Sequence, residues 1–122
     1  MASNRAFNVI AEGDYNATHD SPPMSNLNNH AGHFVVKLIT IPAGSLTLEV
    51  YGVTVSGAEY KIFEALPMVH AGTYRTTISP SQNCVAGVAC RDFLPAKYFF
   101  RMVHSTSDTL RYFADIKLGE GG

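Results

Sequence analysis

The stretch SLTLEVYGVTV, residues 45–55, places Leu46, Leu48 and Val50 on one side of an extended chain and Thr47, Glu49 and Tyr51 on the other. Successive side chains of a strand point to opposite faces, so this alternation marks a strand with one face buried. Turn-forming residues flank it, Pro42-Ala43-Gly44 before and Val55-Ser56-Gly57 at its end. Outward from there the same period recurs in HFVVKLITI (33–41), EYKIFEAL (59–66), AGTYRTTISP (71–80), AKYFFRMVH (96–104) and TLRYFADIKL (109–118). No segment carries a convincing 3.6-residue period, and VAGVACRDF (85–93) has room for one short helical turn. Strands and turns at this spacing predict an all-β fold, an antiparallel β-sandwich or flattened barrel of six or more strands.

The chain changes character near residue 32. Six of its seven asparagines lie in the first 29 residues, together with Pro22-Pro23 and several Ser and Thr. Such a composition does not bury enough apolar surface to fold alone. The expected organisation is therefore an extended N-terminal arm, residues 1–32, followed by a β-sandwich domain, residues 33–122. Scattered apolar residues of the arm, Phe7, Val9, Ile10, Tyr15, Met24 and Leu27, are candidates for anchoring it to a partner. On that reading, deletion of residues 2–28 leaves a folded domain that has lost its binding.

At 122 residues and a formal net charge of −1 the chain is the size of one domain, and it lacks the basic excess of a general nucleic-acid or membrane-surface binder. No apolar run approaches a bilayer span and the N-terminus lacks a signal-peptide core, so assembly in a cytoplasm is expected. Cys84 and Cys90 are spaced C-x5-C without neighbouring metal ligands, so no metal site and no cofactor is expected. They read as small apolar loop residues, with a short-loop disulfide as the alternative. His104, Ser105 and Asp108 invite comparison with a catalytic triad, but all three sit at one strand-to-strand tip rich in turn residues. His19, His30 and His33 form no ligand pattern, and no carboxylate pair stands out for acid–base work. Asp92, ahead of Leu94-Pro95, is expected to cap the turn that feeds the next strand. No residue is assigned a catalytic role, and the chain is not read as an enzyme.

The last two strands are read as a closing hairpin. Tyr98, Phe100 and Met102 share one face and Phe99, Arg101 and Val103 the other, while Leu110, Tyr112, Ala114 and Ile116 alternate with Arg111, Phe113, Asp115 and Lys117. Aromatic residues on both faces point to a protein–protein contact in addition to the core. The face with Phe99, Arg101 and Phe113 is the candidate self-association surface, or the opposite face if the register slips by one residue.

The order Asn29-x-x-Gly32-x-x-Val35-Val36, then YGVTVSGAEYKIFEAL, AGTYRTTISP and RDFLPAKYFFRMVHSTSDTLRYFADIKL, resembles a group of small virion proteins of tailed bacteriophages. The match runs from about residue 29 to 118 and is most specific from Asp92-x-Leu94-Pro95 to His104. Tyr98-Phe99 stands where the pattern has Trp-Arg, Arg101 follows two positions later, and the first turn lacks the pattern's aspartate. The resemblance implies a capsid decoration (cement) protein, located on the virion surface and bound to the major capsid protein. It also implies a homo-oligomer, for which a trimer would suit local three-fold axes. A tail-tube or head–tail connector protein is the alternative. A carbohydrate-binding module is a third, with Tyr51, Tyr60, Tyr74, Tyr98 and Tyr112 as candidate stacking platforms.

Overall fold

The computed structural model describes residues 5–25, 31–79, 84–90 and 94–119, with the side chains of Arg5 and Phe7 left aside. The described chain is all strand and turn, as expected. The ten strands are β1 (Arg5–Tyr15), β2 (His19–Asp20), β3 (Met24–Ser25), β4 (Ala31–Thr40), β5 (Leu46–Val53), β6 (Glu59–Glu64), β7 (Gly72–Ile78), β8 (Ala89–Cys90), β9 (Lys97–His104) and β10 (Leu110–Gly119). One sheet has the order β1-β10-β4-β7-β8, and the other β2-β9-β5-β6, with β3 also on β9. The two sheets pack face to face as a β-sandwich.

The long strands β4, β5 and β10 keep the period that their sequences predict. In β5 the residues Leu46, Leu48 and Val50 are buried and their neighbours half-buried, and β4 and β10 alternate likewise. The core lies between the inner faces: Phe34, Val36 and Leu38 of β4 and Leu110, Tyr112 and Ile116 of β10 meet Leu48, Val50, Phe100 and Met102 of the other sheet. Phe34 and Phe100 touch edge to face, with ring centroids 4.6 Å apart. Edge-on contact sets the positive rim of one ring against the negative face of the other.

Chain neighbours seldom pair. β5 and β6 form an antiparallel hairpin whose turn is closed by Gly57 at φ +92 and by the Gly57 N–H to Thr54 carbonyl bond at 2.9 Å. β9 and β10, by contrast, belong to different sheets. This corrects the expected closing hairpin: residues 105–109 form an arch from one sheet to the other. Both strands have an apolar inner face, and two such faces bury each other across a sandwich, whereas within one hairpin they would lie side by side.

Residues 5–25 are extended, as the arm was expected to be, but they lie along this chain's own sheets. β1 pairs antiparallel with β10 from Arg5↔Leu118 to Tyr15↔Leu110, with two register shifts. Ile10 is part of the core, and Val9, Tyr15 and Met24 pack against it. After a short connection, β2 and β3 run along β9. Between them Pro22 and Pro23 lack the N–H that a ladder needs. Ser21 compensates: its N–H donates to the Phe100 carbonyl at 2.8 Å, and its hydroxyl accepts from the Phe100 N–H at 2.9 Å. The N-terminal segment thus forms an edge of both sheets on one side of the sandwich. The opposite side is left to β6, β7 and the loop that carries β8.

Candidate functional site

Three regions concentrate polar or accessible apolar groups. The first is the outer face of β9 and β5. Phe99 and Tyr51 stack with centroids 5.2 Å apart and planes within 6° of parallel. The Arg101 guanidinium lies over Tyr51 at 4.7 Å and reaches Asp20 through Nε, 2.7 Å from Oδ1, and Nη2, 3.1 Å from Oδ2. The forked contact ties the β2 edge to β9. The Tyr51 hydroxyl donates to Glu49 at 2.8 Å, which pushes its pKa up, and Lys61 bridges Glu49 and Glu64. These charges satisfy one another within the chain.

This geometry separates the three residues expected to form a self-association surface. Phe99 is 4% exposed, beneath Tyr51 and Arg101. Phe113 lies on β10, on the outer face of the other sheet, opposite Lys37. The physical reason is the arch at 105–109: strands consecutive in sequence present their outer faces in opposite directions. Phe99, Arg101 and Phe113 therefore form no common patch.

The second region is enclosed at the end of the sandwich where β2, β9, β10 and the end of β1 meet. His104 Nε2 and the Tyr112 hydroxyl are 2.7 Å apart, and His19 Nδ1 donates to the Ala17 carbonyl at 3.2 Å. Tyr15 stacks on His19 at 4.6 Å and leans on Tyr112 at 4.9 Å, its own hydroxyl donating to the Ala11 carbonyl. His19 Nε2 and His104 Nδ1 are buried and, among the described residues, without a hydrogen-bond partner. Burial, then the neighbouring His19, lowers the His104 pKa, and burial raises that of Tyr112. Both shifts favour the neutral forms of His104 and Tyr112.

A depressed histidine pKa has a definite sign for stability. Between its ordinary value of 6.5 and its lower folded value, the unfolded chain binds the proton that the folded chain refuses. Stability therefore falls as pH drops below about 6.5 and levels off below the folded pKa. His33, lowered by burial, Arg75 and Lys117, acts in the same direction. The melting temperature is expected to decrease from pH 7.5 to pH 5, with a shallower decrease in His104→Gln. A melting curve independent of pH over that range would contradict the assignment.

The third region is a slot between the sheets on the side away from β1. It has a volume of about 220 Å³ and is lined by Val36, Leu48, Met68, Tyr74, Thr76 and the connection 65–67, with Gly87 and Val88 across the mouth. The Leu66 N–H donates to the Gly87 carbonyl at 3.1 Å, clasping the two loops together. Gly87 has φ +73, and a Cβ there would fall 2.3 Å from Leu66 Cγ, so the clasp requires glycine. Leu66 and Val88 at the rim are 59% and 43% exposed, and Val85, 50% exposed, lines the adjoining hollow on the outer face. Arg75 lines both the slot and the adjoining hollow on the outer face.

The remaining sequence candidates fall as follows. Ser105 accepts the Ser45 N–H at 2.7 Å and Asp108 accepts the Thr106 hydroxyl at 2.8 Å, so both serve the arch while His104 faces Tyr112. Tyr98 and Tyr112 are fully buried in the core and offer no platform. Tyr51 is covered by Arg101, and the Tyr74 hydroxyl is bonded to the His70 carbonyl. Cys84 is exposed and Cys90 half-buried. Among the described residues no group of three or more His, Cys, Asp or Glu has the geometry of a metal site. Asp92, His30 and Leu27 lie outside the described residues, as does the Phe7 side chain.

Sequence reasoning missed the slot. Its signal was present: LPMV (66–69) and VAGVA (85–89) are apolar runs in segments that otherwise read as loops. No signal pointed to the His19–Tyr112–His104 cluster, which depends on pairing across about 90 residues. No protein-family model matches the chain, and no curated protein matches it.

Proposed function

We propose that the chain is a non-enzymatic structural protein of a bacteriophage particle, decorating the capsid surface by binding the major capsid protein. The observation that carries this reading is the apolar rim of Leu66 and Val88 around the inter-sheet slot, with exposed Val85 beside it in the adjoining hollow. Adjacent exposed aliphatic side chains beside a cleft are the mark of a surface that another protein covers. The resemblance of residues 29–118 to small tailed-phage virion proteins supplies the setting.

The part first given to the arm is reassigned. Ile10 belongs to the chain's own core and Val9, Tyr15 and Met24 pack against it, so residues 5–25 act in binding by completing the sandwich. Self-association on the lattice would multiply weak contacts into firm attachment. The chain is expected to co-purify with particles in high copy number, on the order of hundreds for a decoration protein that follows the capsid lattice, as quantitative mass spectrometry of purified virions would measure. Roughly six or twelve copies would place it in a connector ring instead. Its absence from particles would overturn the reading.

A further inference from the structure

We propose that β7 and the slot beside it receive an extended segment of another protein, added as a strand, whose side chains alternate between large apolar and acidic. This rests on the reading of the chain as a binding protein and specifies the chemistry of what it binds.

The backbone supplies the first argument. β7 pairs with β4 along its whole length, through Tyr74↔Val36, Thr76↔Phe34 and their neighbours. On its other edge β8 meets only Thr77 and Ile78. In an antiparallel strand the N–H and C=O of alternate residues point to the same side. The Thr77 and Ser79 N–H groups point away from β4, to the Val88 and Cys90 carbonyls. The N–H and C=O groups of Thr73 and Arg75 therefore point the same way, beyond the end of β8. Thr73 and Arg75 are exposed, and among the described residues no strand covers them. An open edge of this kind is a template for an incoming strand.

The side chains supply the second. An added strand continues the pleat, so its residues alternate between the inter-sheet space and the outer face. Toward the inside, the next position meets the slot, with Tyr74, Thr76, Val36 and Leu48 for walls and Leu66 and Val88 for a rim. That space suits one large aliphatic side chain. Toward the outside, the flanking positions meet Arg75, beside His33, Thr77 and Val88. Arg75 forms no ion pair among the described residues. Asp115 sits on its row of the sheet but two strands away, beyond Val35, and accepts from the Asn8 amide. Burial first, and then the positive charges of Arg75 and Lys117, lower the His33 pKa. An acidic side chain is the complement of those charges.

A second copy of the same edge is the wrong occupant. Antiparallel pairing of β7 with β7 would bring two Arg75 side chains to one face, and like charges directly opposite are destabilising. The complement is a different segment, apolar inward and acidic outward.

The test uses the full chain and the synthetic peptide acetyl-Thr-Asp-Leu-Asp-Leu-Asp-Thr-amide, followed by amide chemical shifts in NMR titration. The expected result is saturable binding with shifts centred on Thr73 to Thr76 and Val88. Replacing both leucines by alanine should weaken binding by roughly tenfold or more. Arg75→Glu, an exposed substitution, should lose the acidic peptide and gain the matching peptide with lysine in place of aspartate. Thr73→Pro removes one edge donor and should weaken both. No binding, shifts elsewhere, or an Arg75→Glu variant that keeps its preference would overturn the inference. So would a change in sedimentation mass on Arg75→Glu, which would make a second copy the occupant. The peptide result is separate from virion copy number: a chain abundant in particles that ignores the peptide refutes only this inference, and the converse refutes only the capsid assignment.

Discussion

Deleting residues 2–15 is expected to abolish the cooperative unfolding transition, or to lower it by at least half of a typical domain stability of about 5–15 kcal/mol. β1 covers β10 along nearly its whole length, and β10 carries five inward residues, Leu110, Tyr112, Ala114, Ile116 and Leu118, all nearly or fully buried. Removal takes Ile10 out of the core, a loss of about 1.5–3 kcal/mol for one such side chain, and uncovers the flank of that row. It also removes Tyr15 from the His19–Tyr112 stack. The ion pairs of Arg111 with Glu12 and Asp14 contribute little, being exposed and screened by salt. A second consequence is kinetic: β10 becomes a long open edge with an apolar inner face, and such edges aggregate. Thermal melts by circular dichroism and light scattering check both. A soluble truncated chain with an unaltered melt would mean that β1 is an attachment and not part of the domain. The composition-based expectation was the opposite, a folded domain left after removal of residues 2–28.

That reversal shows where sequence reading holds and where it stops. The six strands read from period-2 alternation all exist, and the inward residues of β5, β9 and β10 are those that the alternation names. Periodicity is local, and a strand's faces follow from the pleat alone. Partner choice is not local. The SGA turn before β6 and the STSD tip after β9 both look like hairpin turns, yet the first joins paired strands and the second crosses between sheets. A five-residue tip reaches far enough for either outcome. The N-terminal strand was hidden for a different reason. Asn8, Glu12 and Asp14 lie on an edge strand, where only one flank and one face are buried, so a segment can be polar in sum and still carry a core residue such as Ile10. The slot was hidden because its lining comes from five separate segments, although the exposed aliphatic residues at its rim are visible as loops that are too apolar.

Of the aromatic and charged residues that β9 turns outward, Phe99 is expected to matter far more to stability than Arg101. Phe99→Ala should cost roughly 3 kcal/mol, the low end for removing a covered phenyl ring, because the ring is 4% exposed and stacked on Tyr51. Arg101→Ala should cost about 1–2 kcal/mol, since its pair with Asp20 is half in solvent and its contact with Tyr51 is a cation over a ring face. The roles differ in kind as well as size. Phe99 packs beneath Tyr51 and the guanidinium, so its loss leaves a gap that both neighbours border. Arg101 fastens Asp20, so its loss loosens the β2 edge while the stack beneath survives. Urea unfolding should therefore separate the two variants by more than 1 kcal/mol at similar slope, whereas exchange of the β2 and β9 amides should rise more in Arg101→Ala. Sedimentation mass should be unchanged in both, because each side chain is engaged within its own chain. A Phe99→Ala variant of full stability but altered mass would restore this face as a subunit contact and would require the stack with Tyr51 to open in the assembled protein.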